Sequence, residues 1–289
     1  MKPAPFRYRR PETLDQALAD LGEHGPRASV LAGGQSLVPL MNQRRARPAV
    51  LVDITRLPGL ASVTDAGGRL RVGALVTQAA FERVPGLAGR CPMALECLPF
   101  TGHLATRNRG TVGGSIAHAD PRAELPLALL VLGGAAEVAS AGGRRTIAAE
   151  DLFTGPYESA LRPDEILVAT AWPTTDELPG QAFEEVAQRH GDYTIASAAV
   201  ALRVEDGVVA AARVGVGAVG DRPLLVPEPG AVLAGRVVDE DAAEAAGRAA
   251  ADAIEHPLAD IHGSAAYRRH LAGVLVARTA RRAWERAVA

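Results

Sequence analysis

The sequence predicts an α+β protein of two domains, residues 1–175 and 176–289, with the first divided again near residue 55. Three observations carry this. The first 55 residues alternate helix-like and strand-like patterns and end in a nearly all-apolar run over 48–54, as in a strand covered on both faces. From residue 60 to 171 the texture changes to short strands, several joined by Gly-Gly turns, with helical runs between them. Residues 173–180 are rich in Pro, Gly and acids, the best boundary in the chain, and a hairpin pattern with two helical patterns follows.

Within the first unit, Leu14, Ala17, Leu18 and Leu21 recur at helical spacing, so 11–21 is expected as an amphipathic helix ended by the Gly22 to Pro26 stretch. Ser29-Val-Leu-Ala32 reads as a short buried strand. Gly33 and Gly34 break it, and 36–41 reads as a helix start with Ser36 as its cap and Pro39 tolerated in the first turn. Strand, Gly-Gly turn and helix start expose several backbone N–H groups to one anion. A second glycine stretch, Thr111-Val-Gly-Gly-Ser115, repeats the idea. Two such loops point to a diphosphate held from two sides.

Between and beyond the loops, strands are expected over 62–64 and 69–73, helices over 78–83 and 93–98, and an apolar helix over 126–132. Strands follow over 136–141, 145–147 and 165–171. In the last unit, strands over 196–204 and 208–216 flank an Asp206-Gly207 turn, and helices span 239–255 and 264–287. In the last helix, Tyr267, Leu271, Val274 and Arg278 share one face.

A net charge of −2 argues against a nucleic-acid binder. The basic clusters at 7–10, 44–47 and 268–269 read as solvated faces. Two cysteines, Cys91 and Cys97, without a CxxC, hold no iron–sulfur cluster or cysteine zinc site in this chain, and read as buried apolar side chains. The N-terminus lacks an apolar signal core and no run approaches about 18 apolar residues, so a cytoplasmic location is expected.

Gly215-Val-Gly-Ala-Val-Gly220 has the dinucleotide spacing but is followed by Asp221-Arg-Pro223, a turn rather than a helix, so it reads as a closely packed strand end. His118 and Asp120 lack a third partner for a metal. Asp120 and Glu124 are either acceptors for ribose hydroxyls or acids of a solvated turn. Tyr193, in Gly191-Asp-Tyr193, either covers a flat ring or belongs to the core. No GxSxG, HExxH or P-loop lysine motif occurs.

Ala32-Gly-Gly-Gln-Ser-Leu-Val-Pro-Leu-Met41 and Thr111-Val-Gly-Gly-Ser-Ile-Ala-His-Ala-Asp-Pro121 resemble the FAD-binding medium subunits of molybdenum hydroxylases, the family of carbon monoxide dehydrogenase medium subunits and the flavin domain of xanthine dehydrogenase. Arg107-Asn-Arg-Gly110, Arg189-His-Gly-Asp-Tyr193 and Asp260-Ile-His-Gly-Ser-Ala-Ala-Tyr-Arg-Arg-His-Leu271 extend the likeness nearly end to end. The resemblance implies a two-subdomain FAD-binding domain of the vanillyl-alcohol-oxidase/peroxidase-murein-reductase type, followed by an antiparallel sheet with helices. It implies a cofactor-binding set of Ala32, Gly33, Gly34, Gln35, Ser36 and Leu37, then Gly110, Thr111, Val112, Gly113, Gly114, Ser115 and Ala117, with Asp120, Glu124, Leu167 near the adenine and Tyr193 against the isoalloxazine. No catalytic side chain and no metal ligand are implied. The molybdenum cofactor and two [2Fe–2S] clusters are expected on a large and a small partner subunit, in a dimer of heterotrimers, with electrons passing through FAD to an acceptor. A stand-alone flavin oxidoreductase and a non-catalytic assembly subunit are the rival readings. Gln35 and Ser115 depart from residues common in carbon monoxide enzymes. The Gln35 form reads like members acting on N-heterocycles or purine-like alkaloids.

Overall fold

The computed structural model describes residues 2–289. Strands β1 (Arg7–Arg9), β2 (Ala28–Leu31) and β3 (Val50–Asp53) form a parallel sheet in the order β1-β3-β2. β3 is central and buried at all four positions, which is why its run is apolar without alternation. Helix Leu14–His24 packs Ala17, Leu18 and Leu21 into the core beside Val50 and Val52. Its cap is Thr13, whose hydroxyl accepts from the Gln16 N–H, and Gly25 ends it at φ 52°. β1 is an unexpected edge strand: its side chains are exposed, so the sequence shows only a basic cluster.

The second sheet is antiparallel, in the order β4-β5-β10-β6-β7. Its strands are β4 (Val63–Asp65), β5 (Arg69–Gly73), β6 (Ala135–Ser140), β7 (Gly143–Ala148) and β10 (Ile166–Pro173), and a small hairpin of β8 (Phe153–Gly155) and β9 (Glu158–Ser159) precedes β10. Between β5 and β6 the chain leaves the sheet for a run of short helices. These include Pro92–Cys97, Leu104–Arg107, Val112–His118 and Glu124–Val131, the last buried at every position. Cys91 and Cys97 lie free and fully buried in this core, and burial pushes the Cys91 thiol up to about 12.

The third sheet is antiparallel and runs β11 (Gly180–Ala187), β12 (Thr194–Glu205), β13 (Val208–Gly217), β14 (Leu224–Leu225). Asp206 and Gly207 both take positive φ, 49° and 75°, as a two-residue hairpin turn requires. β11 escapes the sequence pattern because Gln181, Glu184 and Glu185 interrupt it. Each is partnered in the fold: Gln181 accepts from Met93 N–H at 3.4 Å, Glu184 pairs with Arg278, and Glu185 accepts from Thr194.

Helices Glu240–Ala253 and Ala265–Val288 cover one face of this sheet. The other face sends Phe183, Ala199 and Ala201 into the core that holds Trp172 and Leu127. β12 is therefore buried along its first nine positions. In helix Ala265–Val288 the inner face is Arg268, Ala272, Leu275, Val276, Thr279, Ala280 and Ala283. The face that Tyr267 and Val274 share is the exposed one. The inner face is mostly of small residues because the helix lies close on the sheet, and small residues give little hydropathy signal.

Residues 173–180 are not a loose tether. Thr174 is buried and donates its N–H to Gly68 O at 3.0 Å, and Thr175 N–H reaches Arg90 O at 2.9 Å. The rejected GxGxxG sits at the end of β13, where a Cβ on Gly215 would meet Val131 Cγ2 at 2.4 Å and one on Gly217 would meet Ser197 Oγ at 2.5 Å. Glycine there serves packing. Among the described residues no helix is long and apolar enough to cross a membrane.

Candidate functional site

The first glycine stretch leaves β2 and enters helix Leu37–Asn42. Gly34 takes φ +72°, which a side chain would strain. Among the described residues, the backbone N–H groups of Gly33, Gly34, Gln35, Ser36 and Leu37 have no hydrogen-bond partner in the protein. Ser36 does not cap the helix through its side chain, contrary to expectation, so its hydroxyl is also uncommitted there. Gln35 turns its amide Nε2 back to Gly33 O at 3.2 Å and braces the loop.

The second stretch is built differently. Thr111 caps helix Val112–His118, its Oγ1 accepting from Gly114 N–H at 2.9 Å. Val112 N–H goes to Val76 O, Gly113 N–H to Ala74 O and Ser115 N–H to Thr111 O. These N–H groups are consumed by the protein, so the two loops are not equivalent anion cradles. Glycine here serves close approach: a Cβ on Gly113 would meet Ala74 Cα at 2.6 Å. Gly33 does the same between the loops, since its Cβ would lie 2.1 Å from Arg109 O. Gly114 differs: beyond its own cap residue, the nearest atom to a Cβ is Ala32 Cβ at 3.9 Å, across the gap between the loops.

Both stretches open on one cavity of about 790 Å³, a size suited to a large organic ligand. Ala32, Gly33, Gly34, Gln35, Ser36, Leu37, Gly110, Thr111, Gly113, Gly114, Ser115, Ala117, Asp120, Glu124, Leu167 and Tyr193 all line it. Val112 does not: its side chain is fully buried in the central core. Leu167 sits where β10 shifts register against β6, a bulge that redirects the strand beside the cavity.

Asp120 accepts from Arg122 N–H at 3.0 Å and from the Arg122 guanidinium at 3.4 Å, which is the turn chemistry its Asp-Pro sequence offers. Tyr193 is 65% exposed, so it is not a core residue. The Arg122 guanidinium lies 4.1 Å from its ring centroid and also donates to the Tyr157 hydroxyl at 2.8 Å. The His118 ring packs tilted against Tyr157 with centroids 5.2 Å apart, and burial lowers its pKa against the opposing pull of Asp120.

Several further residues line the cavity. Gln78 is buried with its Oε1 unpartnered. Glu165 is held by Arg145 at 2.7 and 2.8 Å, and that bond keeps its carboxyl below the usual range. Thr101 donates to Glu124 Oε2 at 2.9 Å. His262 comes from a turn held by Arg268. Gln78, next to a helix-capping Thr77 at the foot of the second loop, and His262, inside the Asp260–Leu271 stretch, had local signals that could have drawn notice.

Burial pushes the Glu124 carboxyl up to about 7, with Asp120 adding to the rise, against hydrogen bonds from its own N–H and Thr101 and the pull of Arg107. Glu185, behind it on β11, is pushed up to about 8 by burial and by the charge of Glu124.

Comparison with known proteins agrees with this geometry. Residues 4–175 match the family described as the FAD binding domain in molybdopterin dehydrogenase, and residues 181–283 match the CO dehydrogenase flavoprotein C-terminal domain. The chain is 40% identical over 279 residues to the nicotine 6-hydroxylase medium subunit of Paenarthrobacter nicotinovorans, covering 96% of this chain and 97% of that one. It is 37% identical to the carbon monoxide dehydrogenase medium chain of Afipia carboxidovorans, covering 99% of each. A chain of quinoline 2-oxidoreductase from Pseudomonas putida 86 superposes with a TM-score of 0.95 at 37% identity, covering all of both chains. The chain thus belongs to the FAD-binding medium subunits of the molybdenum hydroxylases and is the FAD-carrying, electron-transferring oxidoreductase component of that class.

Proposed function

We propose that the cavity between the two glycine stretches is the FAD site, and that the first stretch alone supplies the diphosphate cradle. The observation that carries this is the set of five unpartnered N–H groups from Gly33 to Leu37, opening on the same cavity as Gly114 and Ser115. An orphaned, buried Gln78 Oε1 on the cavity wall is a further polar group ready for a donor. The residues present therefore fit a dinucleotide. Ser36 and Ser115 add hydroxyls, Asp120 and Thr101 add polar groups along the wall, and Leu167 with Ile166 gives an apolar surface. Tyr193, backed by Arg122, is the aromatic beside the flavin ring.

FAD, when bound, accepts electrons singly or in pairs and passes a pair onward. The chain's own part is to bind it, orient it and set the charge around it. No protein nucleophile is needed. We place the large molybdenum-cofactor subunit and the small [2Fe–2S] subunit as its partners, in a dimer of heterotrimers in the cytoplasm, and residues 1–175 and 176–289 as its two domains. Gln35 acts on its own loop, so it supports no choice of substrate, which the partner chain would bind.

The test is to purify the chain alone and co-expressed with its genomic neighbours. Stoichiometric FAD released on heating, with two further subunits in the complex, is the expected result. A colourless chain that takes up no added FAD would remove the flavoprotein site. Full substrate turnover by the chain alone would replace the relay with the stand-alone oxidoreductase.

A further inference from the structure

Among the described residues, Arg122 is the only Arg or Lys that lines the cavity, where Asp120, Glu124, Glu165 and Asp192 place carboxyl groups. Its guanidinium is held on three sides. It donates to the Tyr157 hydroxyl at 2.8 Å and to Asp120 Oδ1 at 3.4 Å, and its Cζ lies 4.1 Å from the centroid of the Tyr193 ring. These partners come from its own turn, from the hairpin of β8 and β9, and from the segment between β11 and β12. Burial works against the charge, but Asp120 and the Tyr157 hydroxyl outweigh it, so the guanidinium stays protonated.

The backbone beneath Arg122 is gripped from both sides. Tyr157 N–H donates to Ala119 O at 3.0 Å, and Ala218 N–H donates to Pro121 O at 2.9 Å. Ala119, Tyr157 and Ala218 all take positive φ, 50°, 61° and 61°. Strained non-glycine backbone of this kind collects at ligand clamps, where position matters more than local ease. Stability alone is a poor reason for the arrangement. Tyr157 and Tyr193 are 46% and 65% exposed, and contacts between such groups contribute little to folding. What the clamp secures is the place of one positive charge on a wall that is otherwise acidic.

We propose that Arg122 is a positioning residue that sets the reduction potential of the cofactor, its fixed charge favouring the cofactor once the electron pair has arrived. The role rests on the cavity being the FAD site. The electron pair comes from the iron–sulfur partner. Where one proton from water accompanies it, the cofactor gains one negative charge, which a cation on the same wall stabilises. On onward transfer the pair leaves and the proton returns to water. Asp120 and Asp192 act in the opposite sense. Loss of the guanidinium removes the attraction and also leaves Asp120 uncompensated, so both effects lower the potential.

Unit charges about 10 Å apart in an effective dielectric of about 20 change an equilibrium by roughly tenfold, about 30 mV for an electron pair. The experiment is a potentiometric titration of the FAD-loaded complex with its partner subunits, with flavin and cluster bands resolved and released FAD measured. Wild type, Arg122→Gln and Arg122→Lys are compared at one pH. Arg122→Gln is expected to lie about 30 mV below wild type. Arg122→Lys keeps the charge but loses the planar fork, and its equilibrium is expected within roughly twofold of wild type. A clamp that only braced the turn would fail alike in both variants. Equal potentials in wild type and Arg122→Gln with FAD retained, or equal shifts in the two variants, overturn the proposal and leave the FAD site standing. No FAD in the wild-type complex overturns the site and the proposal together. Should Arg122→Gln lose its FAD, Asp120→Asn decides, because it unmasks the same cation: a potential raised by about 30 mV supports the proposal, and an unchanged one overturns it.

Discussion

Four glycines mark the two loops, and the structure gives them unequal duties. Gly33 lets one loop rest on the other at Arg109, and Gly113 lets its helix rest on Ala74. Gly33→Ala should therefore fail as a matter of folding, since the blocking atoms are backbone. Overpacking of this kind costs about 1–3 kcal/mol or more, read as a fall in melting temperature of the FAD-free chain. Gly114 faces the gap, so Gly114→Ala and Gly114→Asp form a matched pair. Both crowd Thr111 Oγ1 at 2.8 Å and weaken one cap, a loss of about 1 kcal/mol. Only the aspartate adds a charge beside the diphosphate. FAD content after gel filtration should fall modestly in the first and be lost in the second, and equal retention in both would remove Gly114 from the wall that faces the diphosphate. The sequence makes all four glycines visible but cannot say which faces a ligand and which faces the chain. That distinction lives in contacts such as Gly33 with Arg109, 76 positions apart. Polar wall residues such as Glu165 and Thr101 are silent in sequence for the same reason.

Strands with alternating or continuous apolar runs and helices with Asp or Ser caps were legible element by element: β5, β6, β10, β12, β13 and both closing helices fall close to their expected spans. β1 was not, because its side chains are exposed, and β11 was not, because its polar residues find their partners in the folded chain. Helix Ala265–Val288 shows the harder failure. Arg268, read as part of a solvated basic cluster, is 1% exposed. It donates to Ile195 O, to Ala218 O at 2.8 Å and to Asp260 Oδ1 at 2.6 Å, fixing the turn that carries His262 to the ends of β12 and β13. Burial works against the Asp260 charge, but bonds from His262 N–H and Arg268 outweigh it and hold the carboxyl below its usual range. Arg268→Lys keeps the charge but cannot span three acceptors on two sides of a fork. A stability loss on the order of 3 kcal/mol is expected, with faster hydrogen exchange confined to residues 258–264. A loss under about 0.5 kcal/mol, the size of an ordinary surface change, would mean that the turn stands without its anchor.

At the scale of the whole molecule, the C-terminal sheet is clamped between its own two helices and the helices of the central core. Arg282 and Arg286 reach across that junction to Glu96, and Arg213 reaches Val131 O at 2.7 Å. Composition placed a boundary near residue 175 but could not show that β11 and β12 complete the core on its other side. The junction also buries Glu124 and Glu185, and this fixes how stability varies with pH. Both carboxyls have folded pKa values raised above 4.5, to about 7 and about 8. Between those limits the folded state holds more protons than the unfolded state, so stability falls as pH rises. Below pH 4.5 the groups are neutral in both states and cost nothing; above about pH 8 the folded chain must carry both charges. One pKa unit is worth about 1.4 kcal/mol, so the loss across this window amounts to several kcal/mol. In Glu185→Gln the amide keeps the shape and can accept from Thr194, while Glu124 loses its like-charged neighbour. Melting temperature measured from pH 5 to 8.5 should decline less steeply in the variant than in the wild type, with the curves nearest at pH 5. Parallel curves would mean that the junction does not hold a proton, and the charge balance of the whole interface would then rest on the arginines of the last helix.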